Sequence, residues 1–197
     1  TKEQAEKEVS LSIERLIYYA GWCDKFQQLY STVNPVASSH FNFSAPEPTG
    51  VVSIIAPQNN SLIGLVSVIA PIIAGGNTCV VLASASKPLC AVTFAEVLGT
   101  SDVPGGTINI LTGKPGELLS WFSDHMDVNA IVFCENDKEA ILKIQQKATL
   151  NLKRVLLWNN YNWLLETAQN PYLINDAQEI KTTWHPIENI GGAKAGY

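Results

Sequence analysis

Five short apolar runs recur at near-regular intervals through the middle of the chain. They are Val51-Val52-Ser53-Ile54-Ile55, Thr78-Cys79-Val80-Val81-Leu82, Thr107-Ile108-Asn109-Ile110-Leu111, Ala130-Ile131-Val132-Phe133 and Val155-Leu156-Leu157-Trp158. Each is apolar and bounded by Gly, Pro or polar residues, and the first is a β-branched run, the pattern of buried strands. The stretches between them read as helices. One runs from about Ser61 to Ala74 and is closed by Gly75-Gly76; a second spans Pro88 to Leu98, with its proline in the first turn. A short one covers Glu117 to Phe122, and a fourth, capped by Asn136 or Asp137, reaches about Ala148. Continuous apolar strands alternating with helices predict a parallel sheet covered on both faces. Right-handed crossovers then give an α/β, doubly wound, Rossmann-like five-stranded sheet.

The flanks differ. Residues 2–30 predict a helix, with Leu11, Leu16, Tyr19 and Phe26 near one stripe and charges opposite. In residues 31–48, Val33, Val36, Phe41 and Phe43 stand among Ser, Asn and Pro, as in a small β-hairpin or flap that needs a neighbour to pack on. After Trp163 the pattern weakens, with one short strand expected around Ile180 to Trp184. The resulting division is an N-terminal helix (1–30), a flap (31–48), the Rossmann-like unit (49–163) and a C-terminal extension (164–197).

Composition narrows the function. With 46% hydrophobic and 16% charged residues the chain can build a core. A net charge of -5, with no basic run longer than Lys153-Arg154, excludes a phosphate-binding surface and so nucleic acid. The most apolar stretch, Leu62 to Ala74, falls short of the roughly 20 residues a bilayer span needs. Cys23, Cys79, Cys90 and Cys134 form no CxxC pair and lack ligand-like spacing with His40, His125 and His185. They read as buried free thiols of a reducing compartment, which together with the lack of a signal peptide points to the cytoplasm. The charged residues from Thr1 to Glu8 look like a helix already under way, so Thr1 reads as a cut inside a longer chain. The acid pairs Asp124/Asp127 and Glu135/Asp137 lie near turns and read as solvated caps. Trp158, Tyr161, Trp163 and Trp184 form a late aromatic group that either packs the C-terminal edge or anchors a partner.

Several segments together resemble the coenzyme domain of the aldehyde dehydrogenase superfamily. They are Tyr18-Tyr19-Ala20-Gly21-Trp22-Cys23-Asp24-Lys25, Glu47-Pro48-Thr49-Gly50-Val51-Val52, Pro71 through Val81 with its Gly76-Asn77-Thr78, Val103 through Gly113, His125-Met126-Asp127-Val128 and Asn151-Leu152-Lys153-Arg154-Val155. They occur in the family's order and spacing over roughly residues 12–160. The resemblance implies that residues 31–48 are an oligomerisation flap and that NAD was the ancestral cofactor.

At the functional positions the resemblance breaks down. The family's second strand ends in Lys-Pro-Ser-Glu, whose Lys and Glu hold the adenosine ribose; here the run is Leu82-Ala83-Ser84-Ala85. Neither Leu82 nor Ala85 can donate or accept, and each lost hydrogen bond is worth about 0.5–1.5 kcal/mol. The family's Phe-Thr-Gly-Ser, which opens the helix facing the pyrophosphate, is Phe133-Cys134-Glu135-Asn136 here. A helix N-terminus favours anions, so Glu135 either fills that site itself or stabilises its own helix end. The general base of Glu-Leu-Gly-Gly-Lys is replaced by Trp158, which has no titratable group. The oxyanion-type Asn survives as Asn59, but its Trp neighbour is Gln58 and no nucleophile follows, which leaves Asn59 a loop or helix-cap residue.

The expected product is a pseudoenzyme domain without catalytic residue, cofactor or metal. It most resembles the truncated second unit of a family 16 aldehyde dehydrogenase. It would serve assembly as a homodimer, or by docking on a dehydrogenase unit of the same or a partner chain, with no nucleic acid and no membrane involved. Two alternatives stay open: a fragment of an active NAD(P)-dependent aldehyde dehydrogenase whose catalytic domain lies elsewhere, or a module with weak affinity for an adenine nucleotide.

Overall fold

The computed structural model describes residues 1–187. Its elements, in chain order, are α1 (Lys2–Ala20), α2 (Phe26–Tyr30), β1 (Thr32–Asn34), β2 (His40–Pro48), β3 (Val51–Ile55), α3 (Leu62–Ala74), β4 (Thr78–Leu82) and α4 (Leu89–Gly99). Then follow β5 (Ile108–Leu111), α5 (Pro115–Asp124), β6 (Ala130–Phe133), α6 (Lys138–Ala148), β7 (Arg154–Leu157), a 3-10 turn (Glu166–Ala168), α7 (Tyr172–Asp176) and β8 (Gln178–Pro186).

The five predicted strands form one parallel sheet in the order β5-β4-β3-β6-β7. Chain order runs outward from β3 in one direction and from β6 in the other, the doubly wound arrangement. Central β3 alternates its side chains between two cores. Val52 and Ile54 join Val81, Val132, Leu65 and Ile69 beneath α3, while Ile55 joins Leu82, Ile131, Phe133 and Ile144 beneath α5 and α6. Helix α3 is buried from Ile63 to Ile72, and among the described residues no helix is long and apolar enough to cross a membrane.

The expected 2–30 helix is two helices, because the chain turns after Ala20 through Gly21 before α2 begins. The flap is an antiparallel pair, β1 on β2, and it gains a third strand. The late strand expected around Ile180 extends over Gln178–Pro186 and pairs with the whole of β2, from His40↔Pro186 to Pro48↔Gln178. The chain thus returns from the far edge of the parallel sheet to complete the flap.

Polar side chains fix that return. Arg154 Nη1 donates to the carbonyls of Asp176 and Gln178, and its Nη2 reaches Glu179 Oε1 at 2.7 Å. Asn77 accepts from Gly50 N–H (2.9 Å) and donates to the Ala177 carbonyl (2.9 Å). Gln178 Nε2 donates to the Gly75 carbonyl at 2.9 Å and lies 2.3 Å from where a Cβ on residue 75 would stand, so a larger residue there would have to displace that amide. Gly50 is restricted twice, by its φ of +125° and by the Asn129 carboxamide packed against it.

Arg15 joins three parts of the fold from inside. Only 2% exposed, it donates to Ser67 Oγ (2.8 Å) and to the carbonyls of Trp163 (3.3 Å) and Leu165 (3.2 Å). These acceptors are neutral, and burial pulls its pKa below the usual value. The cation is held by dipoles, so removing it would strand buried oxygens.

The thiols divide, against the expectation that they are buried. Cys79 and Cys134 are buried, and burial pushes the Cys79 thiol up to about 12 and that of Cys134 well above its ordinary value. Cys23, in the turn after α1, and Cys90, in the first turn of α4, are exposed. The late aromatic group divides too. Trp158 and Trp163 are core residues, with Tyr161 stacked 5.0 Å from Trp163, whereas Trp184 is 57% exposed on β8.

Two outcomes follow for measurement. Arg15→Ala lowers unfolding free energy by about 2–4 kcal/mol in urea titration, and Arg15→Lys recovers only part, since an ammonium cannot span three acceptors. A thiol reagent labels Cys23 and Cys90 in the native protein and reaches Cys79 and Cys134 only on unfolding, as read by peptide mass mapping.

Candidate functional site

In a doubly wound sheet, ligands bind at the C-terminal ends of the strands where the chain order reverses. Here that point lies between β3 and β6, which pair directly from Val52↔Ala130 to Ile55↔Phe133. The loops that leave these two strands, and the loop after β4, surround the crevice.

Gln58 stands at its centre. Its N–H donates to Glu135 Oε1 at 2.8 Å, bridging the loops after β3 and β6. Its side-chain oxygen accepts from Ala85 N–H at 2.8 Å, and its carbonyl accepts from Ser84 Oγ at 2.7 Å, both in the loop after β4. Its own Nε2 returns to the Ala56 carbonyl at 2.9 Å. A single residue thus ties all three loops together across the switch point.

Of the two alternatives drawn from the sequence, Glu135 does not stabilise its own helix end; it takes the Gln58 N–H across the crevice. The cap of α6 is Asp137, which accepts from the N–H groups of Glu139 (3.0 Å) and Ala140 (3.1 Å). Asn136 is not the cap either; its Nδ2 donates to the Asn159 carbonyl at 2.9 Å and links the loops after β6 and β7.

Leu82 lies at the end of β4 with 0% exposure, inside the cluster formed by Ile55, Phe133 and Leu119. Burying a leucine side chain stabilises by roughly 1.5–3 kcal/mol, so this position contributes to the core. Ala85 is exposed and offers the crevice only its backbone. Trp158 is 3% exposed; its Nε1 donates to Asp176 Oδ2 at 3.0 Å. Burial raises the Asp176 pKa, partly offset by that hydrogen bond and by Arg154.

Asn59 is exposed in the loop before α3 and does not cap it. That role falls to Glu8 of α1, whose Oε1 accepts from Leu62 N–H (2.9 Å) and Ile63 N–H (3.1 Å). A carboxylate from a distant helix thus occupies the anion-favouring end of α3. Sequence reasoning did not find Glu8, Asp176, Ser84 or Ser86, the last of which donates to the Gln58 carbonyl at 3.4 Å. The Ser84-x-Ser86 spacing beside a polar Gln58 was the available signal for the serines; Glu8 and Asp176 carry none. Of the four acids expected as solvated caps, only Asp137 caps a helix; Asp124 forms an ion pair with Lys147 on α6, and Asp127 lies 4.0 Å from His125. Among the described residues no group of three His, Cys, Asp or Glu could hold a metal ion.

Comparison with known proteins supplies the lineage. The profile described as the aldehyde dehydrogenase family matches residues 1–160. Cytosolic 10-formyltetrahydrofolate dehydrogenase of Xenopus tropicalis is 35% identical over 150 residues, which cover 76% of this chain and 17% of that protein. Betaine aldehyde dehydrogenase from Staphylococcus aureus, solved in complex with NAD+, superposes with a TM-score of 0.72 at 26% identity, over 80% of this chain and 31% of that one. The NAD+ complex of aldehyde dehydrogenase from Bacillus cereus gives 0.70 at 25% identity, over 76% and 30%. The chain therefore spans less than a third of the length of each of these proteins. With the profile matched along most of its length and the same sheet underneath, the chain belongs to the aldehyde dehydrogenase family.

Proposed function

We propose that this chain is a non-catalytic aldehyde dehydrogenase domain that serves assembly within a longer dehydrogenase, whose aldehyde oxidation is carried by another unit. The observation that carries this reading is the crevice at the β3/β6 switch point. Its loops are tied to one another by Gln58, Glu135, Ala85 and Ser84.

The residues present do not fit an NAD-type dinucleotide. Such a cofactor needs a cation and an acceptor at its ribose and free N–H groups at its pyrophosphate. The ribose positions are Leu82, buried in the core, and Ala85, a methyl group. The Gln58 N–H is held by a carboxylate, and Glu135 would repel a diphosphate at that distance. At the position of the general base, the Trp158 indole donates to Asp176 and accepts no proton.

What remains is a scaffold with surfaces. The flap sheet of β1, β2 and β8 carries exposed Val33, Phe41, Ile180 and Trp184. Exposed apolar residues gathered on one appendage suit a contact with another dehydrogenase unit or a second copy. We place the work in the cytoplasm, in keeping with the four free thiols.

Calorimetric titration with NAD up to millimolar concentration is expected to give no saturable heat, and the purified chain is expected to oxidise no aldehyde; saturable binding would overturn the reading. Glu135→Ala releases the Gln58 N–H and lowers stability by about 1–3 kcal/mol in chemical denaturation, still without NAD binding, because Leu82 and Ala85 are unchanged. A variant that gains NAD affinity from this one change would show that Glu135 alone closes the crevice.

A further inference from the structure

The end of the parallel sheet opposite the crevice carries a second concavity. On the α5 face, β3 presents Val51, Ser53 and Ile55, and β4 presents Val80 and Leu82. Ile55 and Leu82 are sealed with Leu119 of α5 and have 0% exposure. Helix α5 ends at Asp124, and there Val51 and Val80 stay half-buried. The result is a cleft of about 310 Å³ with an apolar floor of Val51, Val80, Phe122 and Val128. Ser53 belongs to the floor too, but its hydroxyl is spent on the Phe122 carbonyl at 3.2 Å. The floor therefore offers a ligand no free polar side chain.

The mouth is built by the turn between α5 and β6. Lys153 Nζ donates to the carbonyls of His125 (2.8 Å) and Val128 (2.5 Å), and Asn151 Nδ2 donates to those of Met126 (3.3 Å) and Val128 (3.1 Å). Within the turn, Asp127 N–H donates to His125 Nδ1 at 3.3 Å. An imidazole that accepts at Nδ1 is neutral and carries its proton on Nε2. The Asp127 carboxylate is 91% exposed, and among the described residues its ion-pair partner is that same ring, 4.0 Å away. Asp124, the neighbouring acid, is held by Lys147. Of the side chains that line the cleft, Asp127 thus carries the one charge. Trp121 lines it as well, with its side chain 71% exposed. An indole face attracts both cations and other rings.

We propose that this cleft binds a small aryl-alkyl amine, with its ring on the apolar floor against Trp121 and its ammonium at Asp127. Volume sets the size. An apolar cavity of about 150 Å³ takes one benzene ring, so about 310 Å³ holds a ring with a short chain. Charge sets the head group. A carboxylate ligand would meet Asp127 as a like charge, and a neutral alcohol would leave that carboxylate without a cation. The cleft shares no residue with the crevice formed by Gln58, Ser84, Ala85 and Glu135. The inference therefore goes beyond the assembly role and stands or falls apart from it.

The test is a two-dimensional proton–nitrogen NMR titration of the full chain with 2-phenylethylamine, 2-phenylethanol and phenylacetate, three molecules of one size and different head charge. The indole N–H peak of Trp121 is identified by its loss in Trp121→Phe. Phenylethylamine is expected to shift that peak saturably with a Kd in the millimolar range, the strength open to a ligand of about nine heavy atoms. Phenylacetate is expected to bind at least about threefold more weakly. Asp127→Asn lowers amine affinity by about two- to fivefold, the range of an exposed ion pair, and leaves phenylethanol unchanged. Val80→Phe fills the floor and weakens all three ligands, with far-UV melting as the check that each variant is folded. The absence of a saturable amine shift up to about 50 mM overturns the proposal. Equal binding of amine and phenylacetate overturns it too, as does an Asp127→Asn chain with full amine affinity. Saturable shifts confined to other indole peaks place the amine elsewhere and have the same consequence.

Discussion

Three loops leave the sheet where β3, β4 and β6 end, and each carries backbone N–H and C=O groups that must find partners. In a sheet built to hold a ligand, part of that demand is met by the ligand. Here it is met by Gln58, whose backbone and side chain together satisfy groups in all three loops. A buried backbone group left unpaired costs about as much as a lost hydrogen bond. The crevice is in this way tied together by the chain's own groups. On the proposed reading, the change that removed the cofactor and the change that preserved the fold are the same set of substitutions.

The same economy appears at the other strand ends. Trp158, at the position of the family's general base, fills the core and donates to Asp176, which stands at the turn into β8. Arg154, at the start of β7, holds the carbonyls of that turn. Glu8 meets the free N–H groups that open α3. Polar groups near the old ligand site now bind the chain to itself, and the flap becomes a three-stranded sheet anchored to the far edge of the parallel one.

Much of the fold was legible because it rests on local pattern. Apolar runs of strand length, separated by helical periodicity and closed by Gly75-Gly76, leave few arrangements other than a parallel sheet covered on both faces. The substitutions at Leu82, Ala85, Glu135 and Trp158 were legible for a related reason. They change residue class, and a hydrocarbon cannot do the work of a lysine or a carboxylate in any environment. The break after Ala20 was not legible, because Tyr18 to Lys25 continues a helical composition across the turn.

The sequence by itself determined the sheet and its helices, since each depends on the identity of residues at fixed short spacing. Only the tertiary structure decided where the new polar partners went. Glu135 found Gln58 across 77 positions, and Glu8 found α3 across 54. It also decided that Gln178 to Pro186 would lie on β2. Such pairings carry no periodic signal, because hydrogen-bond partners in a folded chain are set by distance in space, and the crossovers that bring them together erase their separation along the sequence.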